Sequence, residues 1–275
     1  MTDLSKLHLG KQTEYVSQYD VSLLTPIPRA LGRAELGIEG REQQFVGSDL
    51  WTGFELSWLN SRGKPQVAIA EFVVPADSES IIESKSFKLY LNSFNQSRFE
   101  SWGEVRRLLQ KDLSECANGE VAVRLFTLSE YGRTGVAELQ GECVDDIDTD
   151  IDCYKPNPDF LKCTDGGELV EETLHSHLLK SNCPVTGQPD WASIYIQYRG
   201  AKICREGLLK YIVSFREQQD FHEQCVERVF TEIMARCSPE QLDVYARYTR
   251  RGGLDINPWR STHKTQPPSW RLSRQ

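Results

Sequence analysis

An α+β protein of two similar modules is the fold class this sequence predicts, and three observations lead there. Each half of the chain reads strand, tight turn, strand, helix, helix, strand. The halves share punctuation: Gly63-Lys64-Pro65 is echoed by Gly187-Gln188-Pro189, Ser93-Phe94 by Ser214-Phe215, and Phe99-Glu100 by Phe221-His222-Glu223. The helical patterns follow each short-turn strand pair as a block, which argues for antiparallel modules rather than a βαβ wind. At 275 residues the chain suits two ordinary domains or one large one. The expected organisation is an N-terminal arm (1–48), a first module (49–140), a connector (141–170), a second module (171–260) and a tail (261–275).

The arm is broken by Thr25-Pro26-Ile27-Pro28 and by Gly32, Gly37, Gly40 and Gly47, so it reads as irregular. From Leu50 the large side chains Trp51, Phe54, Leu56 and Trp58 alternate roughly, and Asn60-Ser61-Arg62-Gly63 makes a turn. Val67–Val74 is rich in β-branched and apolar residues and ends at Pro75. Phe87, Tyr90, Leu91 and Phe94 fall at i, i+3, i+4 and i+7, one face of a helix. A second helix opens on the capping-box pattern Ser101-Trp102-Gly103-Glu104 and buries Val105, Leu108, Leu109 and Leu113. Val121–Phe126 returns as a strand.

In the connector, Asp145, Asp146, Asp148, Asp150 and Asp152 resemble a calcium loop at first sight. Counted from Asp146, however, Ile151 stands where such a loop needs Gly, and Asn157 where it needs Glu. Alternating Asp and Ile reads instead as a half-exposed strand. In the second module Ile194–Arg199 is a strand, Val226, Val229, Phe230 and Ile233 form a helix stripe, and Val244–Tyr248 is the final strand. Aligning the halves places Leu59 opposite Cys183 and Gln66 opposite Asp190. The tail is rich in Ser, Thr and Pro and is expected to be loosely ordered.

The formal charge of −8 disfavours a nucleic-acid surface. No apolar run reaches membrane-spanning length, and Met1-Thr2-Asp3-Leu4-Ser5-Lys6 lacks the pattern of a signal peptide. The eight cysteines form no C-x-x-C pair, so a zinc ribbon is disfavoured and reduced cytoplasmic thiols are expected.

The stretch with the most chemistry is Ser181-Asn182-Cys183-Pro184-Val185-Thr186-Gly187-Gln188-Pro189-Asp190-Trp191. Gly187 and two prolines bend the chain between a thiol and a carboxylate, so both can face one pocket. A thiolate with an acid can add to an electrophilic carbon while a proton reaches its neighbour. A buried structural Cys and a Pro-Asp turn are the plainer alternative. Lys85 and Lys88 near a helix start suit a phosphate, or are simply solvated. His222-Glu223 reads as a helix start with a favourable acid, or as a base-recognising carboxylate beside an imidazole. His175 and His177 share one face of a strand, but no third ligand stands nearby in sequence, so no metal is expected. Arg250-Arg251-Gly252-Gly253 lets guanidinium groups and bare backbone approach a phosphate.

Together these motifs resemble the 7-cyano-7-deazaguanine reductases, the QueF family, of the longer two-module type. The octapeptide Glu83-Ser84-Lys85-Ser86-Phe87-Lys88-Leu89-Tyr90 fits the family signature at every position. Ser181-Asn182-Cys183-Pro184 with Asp190, His222-Glu223 and the Arg-Arg-Gly-Gly stretch add separate matches. The resemblance implies a tandem tunnelling fold, related in architecture to GTP cyclohydrolase I. It implies NADPH-dependent reduction of the nitrile of a free deazapurine to a primary amine in queuosine biosynthesis, with no nucleic acid or membrane as partner. A cytoplasmic homodimer is also implied. By the same resemblance Cys183 is the nucleophile and Asp190 the proton donor, while His222 assists proton transfer and encloses the substrate. Ile82, Glu83 and Ser84 flank the base with His222 and Glu223. Ser84, Lys85, Arg251 and Gly252 hold NADPH. No G-x-G-x-x-G follows a strand, so a Rossmann site is not expected. Two rivals remain: a cyclohydrolase-like enzyme and a non-redox purine- or pterin-binding protein.

Overall fold

In a computed structural model, residues 15–38, 45–263 and 270–275 are described. The chain is α+β, as expected, and forms two compact units. The first holds the described residues up to 38, Asp49–Gly135 and Arg250–Ile256; the second holds residues 45–48, Val136–Thr249 and the described part of Asn257–Gln275.

In the first unit, β1 (Pro26–Pro28) leads into α1 (Arg29–Glu35). This short helix departs from the irregular arm expected. It is anchored by Arg29, buried and paired with Asp49 at 2.6 Å. A long hairpin, β2 (Val46–Leu59, in this unit from Asp49 on) and β3 (Pro65–Pro75), follows, then β4 (Ser80–Ile82), α2 (Ser84–Ser93), α3 (Trp102–Ala117), β5 (Ala122–Phe126) and α4 (Leu128–Gly132). β5 runs antiparallel to β3, with Phe72 opposite Val123. Along β3 the residues Ala68, Ala70, Phe72 and Val74 share one face, and they bury against Phe87, Tyr90 and Phe94 of the α2 region and Val105, Leu109 and Leu113 of α3. The two periodicities, 2 and 3.6, meet there as sheet and helix faces. Each fully buried Phe contributes about 1.5–3 kcal/mol. The cap of α3 differs slightly from the expected box. Ser101 accepts from the Glu104 amide, but the Glu104 carboxylate reaches back one residue further, to the Glu100 amide.

The second unit contains β6 (Glu142–Cys143), β7 (Leu169–Asn182), β8 (Pro189–Ala201), α5 (Arg205–Ser214), α6 (His222–Cys237) and β9 (Gln241–Tyr248). β10 (Leu254–Ser261) is a strand that the sequence pattern did not reveal, and its later residues pair with β9. Asn-Pro in its middle masked it. β7 and β8 pair antiparallel, as do β8 and β9, whereas β6 runs parallel to β7. The Asp145–Asp152 stretch is not a strand. Its residues do alternate in exposure, but no ladder pairs with them, so the pattern lacks the hydrogen-bonded partner that defines a strand.

The internal repeat is visible element by element. α2 and α5 have ten residues each, and α3 and α6 sixteen. The last two end on left-handed caps, Asn118 and Ser238. Hydrogen bonds correct the expected alignment of the hairpin turns. Leu59 N–H donates to Ser97 C=O, as Asn182 N–H does to Gln218 C=O. Asn60 N–H donates to Lys64 C=O, as Cys183 N–H does to Gln188 C=O. Asn60, not Leu59, therefore matches Cys183, and the turn carrying the thiol is one residue longer.

The end of the tail also differs from expectation. Tyr195, Tyr245 and Trp259 stand abreast on three adjacent strands, and Trp270 packs on Tyr195 with ring centroids 4.9 Å apart. Leu272 is buried as well. An apolar sheet face needs a cover, and a Trp and a Leu supply it despite the polar composition around them.

Candidate active site

The β7–β8 hairpin builds the reactive end of the second unit. Its register pairs Asn182 with Pro189 and Ser181 with Asp190. The turn then closes with Cys183 N–H donating to Gln188 C=O at 2.9 Å and Gly187 N–H donating to Cys183 C=O at 2.9 Å. Gly187 sits at φ +67°, a conformation that costs a residue with a Cβ. Cys183 and Asp190 are both buried.

The strand end is held from the side. Asn182 N–H donates to Gln218 C=O at 2.8 Å. Lys180 Nζ donates to Asn182 Oδ1 and to the Arg216 carbonyl. The chain then turns into α6, whose first residue is His222. Its Nε2 lies 3.5 Å from Asp190 Oδ2. Beneath the imidazole lies Tyr248, the last residue of β9, with centroids 3.7 Å apart and planes 10° from parallel. The imidazole is thus clamped between an aromatic face and a carboxylate. Glu223, in the first turn of α6, is buried, at the helix end that favours negative charge.

Tyr248 escaped the sequence reading, which used it only to mark a strand end. An aromatic at that strand end was the available signal. Its hydroxyl is buried beside Ser181 and Cys225 without a well-formed hydrogen bond. Burial first, and then the nearby Cys225, push its ionisation well above the ordinary tyrosine range. Burial likewise pushes the Cys225 thiol up to about 12, so this second buried thiol stays protonated at neutral pH.

The other expected residues lie in the first unit. Ile82 ends β4 and pairs with Pro26. Glu83 caps α2, its two carboxylate oxygens accepting the amides of Lys85 and Ser86 at 2.8 and 2.7 Å. Two of the helix-start amides are therefore already used, so an anion there would depend more on side-chain ammonium groups. Ser84 is the first residue of α2. Lys85 reaches the Tyr15 hydroxyl at 3.3 Å. Gly252 and Gly253 take φ of +62° and +72°. A Cβ at Gly252 would stand 3.3 Å from Lys88 Cδ, so this turn and α2 approach closely. Arg250 lies over the Phe54 ring, 4.6 Å from its centroid, and Arg251 N–H closes the turn on Leu254 C=O.

All eight cysteines are free thiols. Among the described residues no helix is long and apolar enough to cross a membrane.

Two family models match the chain. One, described as nitrile reductase, 7-cyano-7-deazaguanine-reductase N-term, covers residues 15–125. The other, described as QueF-like protein, covers residues 189–267. Among solved structures, the chain is similar to one titled as the crystal structure of the archaeosine synthase QueF-Like in the apo form. The identity is 20%, the match spans 36% of this chain and 96% of that one, and the TM-score is 0.30.

Proposed function

This chain belongs to the QueF family of nitrile reductases, and from that premise we propose that it reduces the nitrile of 7-cyano-7-deazaguanine to the primary amine, with NADPH, through a thioimidate on Cys183. The observation that carries the reading is the hairpin end. Register places Cys183 just past the Asn182–Pro189 pair, and Asp190 faces a clamped His222.

A nitrile carbon is a poor hydride acceptor. Addition of the Cys183 thiolate forms a carbon–sulfur bond, and the nitrile nitrogen takes a proton from Asp190. The resulting thioimidate is the better acceptor. NADPH, when bound, supplies a hydride to that carbon at each of two reductions. After the first, the carbon–sulfur bond breaks, sulfur leaves as thiolate, and an imine remains. The second reduction, with a proton, completes the amine. Asp190 regains its proton through His222, whose ring the Tyr248 face holds in place. The imine must be kept from water between the two reductions, which is the enclosing role we assign to His222.

Glu223 and Glu83 are proposed acceptors for ring N–H groups, with Ile82 and Ser84 flanking the base. Buried acceptors of this kind reject bases that lack the donors. For the cofactor, the bare Gly252-Gly253 turn beside the Lys88 stem fits an anionic dinucleotide. Ser84, Lys85, Arg251 and Gly252 are proposed to hold it, the basic groups favouring a 2′-phosphate. We further propose a cytoplasmic homodimer acting in queuosine biosynthesis, which light scattering on the purified chain would check for its dimeric part.

The test is a near-ultraviolet spectrum of the protein with 7-cyano-7-deazaguanine and no NADPH, beside Cys183→Ala. A new band and mass adduct in the wild type alone, discharged by NADPH with two cofactors consumed per amine, are expected. No adduct in either protein would remove Cys183 as nucleophile and favour simple base binding.

A further inference from the structure

From Cys143, His175 and His177 we infer a binding site for a divalent zinc-class ion, on the connector side of the second unit. The Cys143 thiol and the two imidazoles bring one donor atom each within 4.8 Å of one another. Sequence spacing left the histidine pair without a third ligand; the fold supplies one from 32 residues away, because β6 pairs in parallel with β7 and sets Cys143 opposite His175.

The histidines are already arranged as ligands. His175 is 8% exposed, and its buried Nδ1 has no hydrogen-bond partner. The Gln140 backbone lies beside the ring. An unmet buried nitrogen is otherwise a cost without a return. His177 bonds Ser193 Oγ through Nδ1 at 2.7 Å, which leaves Nε2 for the cluster. Such a partner on the far nitrogen is what fixes a ligating imidazole. Arg274 in turn donates to Ser193 Oγ at 3.2 Å.

The backbone around the site is also specialised. The β7–β8 register shifts between Ser176 and Leu179, a bulge that re-aims His177. The bulge is held by side chains, His177 N–H donating to Asp145 Oδ2 at 2.9 Å and Leu178 N–H to Ser176 Oγ at 3.1 Å. Asp145 Oδ1 is buried without a partner, and the Asp145 side chain acts on the Cys143 thiol.

One thiolate with two imidazoles suits Zn²⁺ over Mg²⁺ or Ca²⁺, which prefer oxygen. Tetrahedral bonds of about 2.0–2.3 Å need donors roughly 3.5 Å apart. The cluster must therefore contract by about an ångström, which the exposed Cys143 and His177 side chains can supply. Water would take the fourth position. The site is not the proposed nitrile centre: Cys183 lies six residues beyond His177, just past the end of β7, about 20 Å at strand rise. A bound ion would tie the two-residue strand β6 to the sheet.

The test uses chelator-stripped full-length protein, titrated with Zn²⁺ against a chromophoric competitor, and with Co²⁺ followed by its absorption spectrum. We expect one ion per chain and a thiolate-to-cobalt band. Cys143→Ser should abolish the band, and His177→Ala should weaken Zn²⁺ binding by more than about 100-fold. Ser193→Ala should weaken it by about 10–100-fold, as for loss of a ligand's partner. Cys183→Ala should leave binding unchanged, so failure here is separable from failure of the reductase reading. Circular dichroism would confirm that each variant folds. Absence of stoichiometric binding in the wild type, or binding that survives both Cys143→Ser and His177→Ala, would overturn the inference.

Discussion

Replacing Tyr248 with leucine asks whether the site works through a held imidazole. The phenol ring lies 3.7 Å from His222 in a near-parallel stack, and the imidazole Nε2 faces Asp190 at 3.5 Å. An aromatic pair of this kind is worth about 0.5–1.5 kcal/mol beyond the area it buries. With that energy removed, the fraction of molecules with the ring over Asp190 falls by about 2- to 13-fold, taking 1.36 kcal/mol per tenfold. On the proposed function, the expected result is a drop in kcat of that size, read as consumption of the proposed cofactor NADPH, with KM for the proposed nitrile substrate changed less. Tyr248→Phe keeps the ring and deletes only a hydroxyl without a well-formed hydrogen bond, so it should stay within about twofold of wild type, well inside the lower end of a 1.36 kcal/mol tenfold. With the proton-transfer role proposed for His222, His222→Ala should cost more than either, because positioned proton transfer contributes about 10²–10⁴-fold. A folded Tyr248→Leu protein with unchanged kcat would refute the clamp. Equal losses in the Phe and Leu variants would move the role from the ring to the hydroxyl.

Asp112 Oδ2 accepts from both Tyr19 and Tyr90, at 2.7 and 2.6 Å, so Tyr90→Phe should lower urea stability by about 1.5–3 kcal/mol. Burial first, then Asp112, raises the ionisation of both tyrosines above the ordinary value. Their contribution is therefore complete below about pH 10 and lost as pH rises beyond it; an alkaline stability curve identical in wild type and Tyr90→Phe would count against this. Arg260 is wholly buried on Glu227, at 2.8 Å, and Glu227→Leu should cost about 3–5 kcal/mol in urea unfolding, much of it restored by adding Arg260→Met. Burial would raise the Glu172 carboxyl, but hydrogen bonds from Arg205 and Tyr198 outweigh it and hold the carboxyl below its ordinary value. Its stabilisation is present above about pH 4.3 and lost as pH falls through the folded value, so Glu172→Gln should flatten the acid limb of the stability curve.

Several features were legible because their cause is local. The spacing of Phe87, Tyr90, Leu91 and Phe94 specifies one helix face whatever it packs against. Ser101 specifies a helix start through its own side-chain oxygen. Gly187 specifies a tight turn because few other residues accept its backbone angles. The thiol–carboxylate stretch could be read for the same reason, since one hairpin carries both groups. Where a local pattern needed a distant partner, it misled. The Asp-Ile alternation had no strand to pair with, and the one-residue difference between the two hairpin turns became visible only through their hydrogen bonds.

What the sequence by itself determined is the set of elements, the duplicated plan and the reactive turn, all encoded within a few residues by dihedral preference and periodicity. What tertiary structure alone decided is who meets whom. Asp190 faces His222 across 32 positions, Tyr248 arrives beneath the ring from another strand, and Cys143 joins two histidines through a two-residue parallel pairing. Such meetings depend on strand register, where a slip of one residue turns every side chain to the opposite face. Register is set by the burial of the whole sheet, which no short stretch of sequence contains.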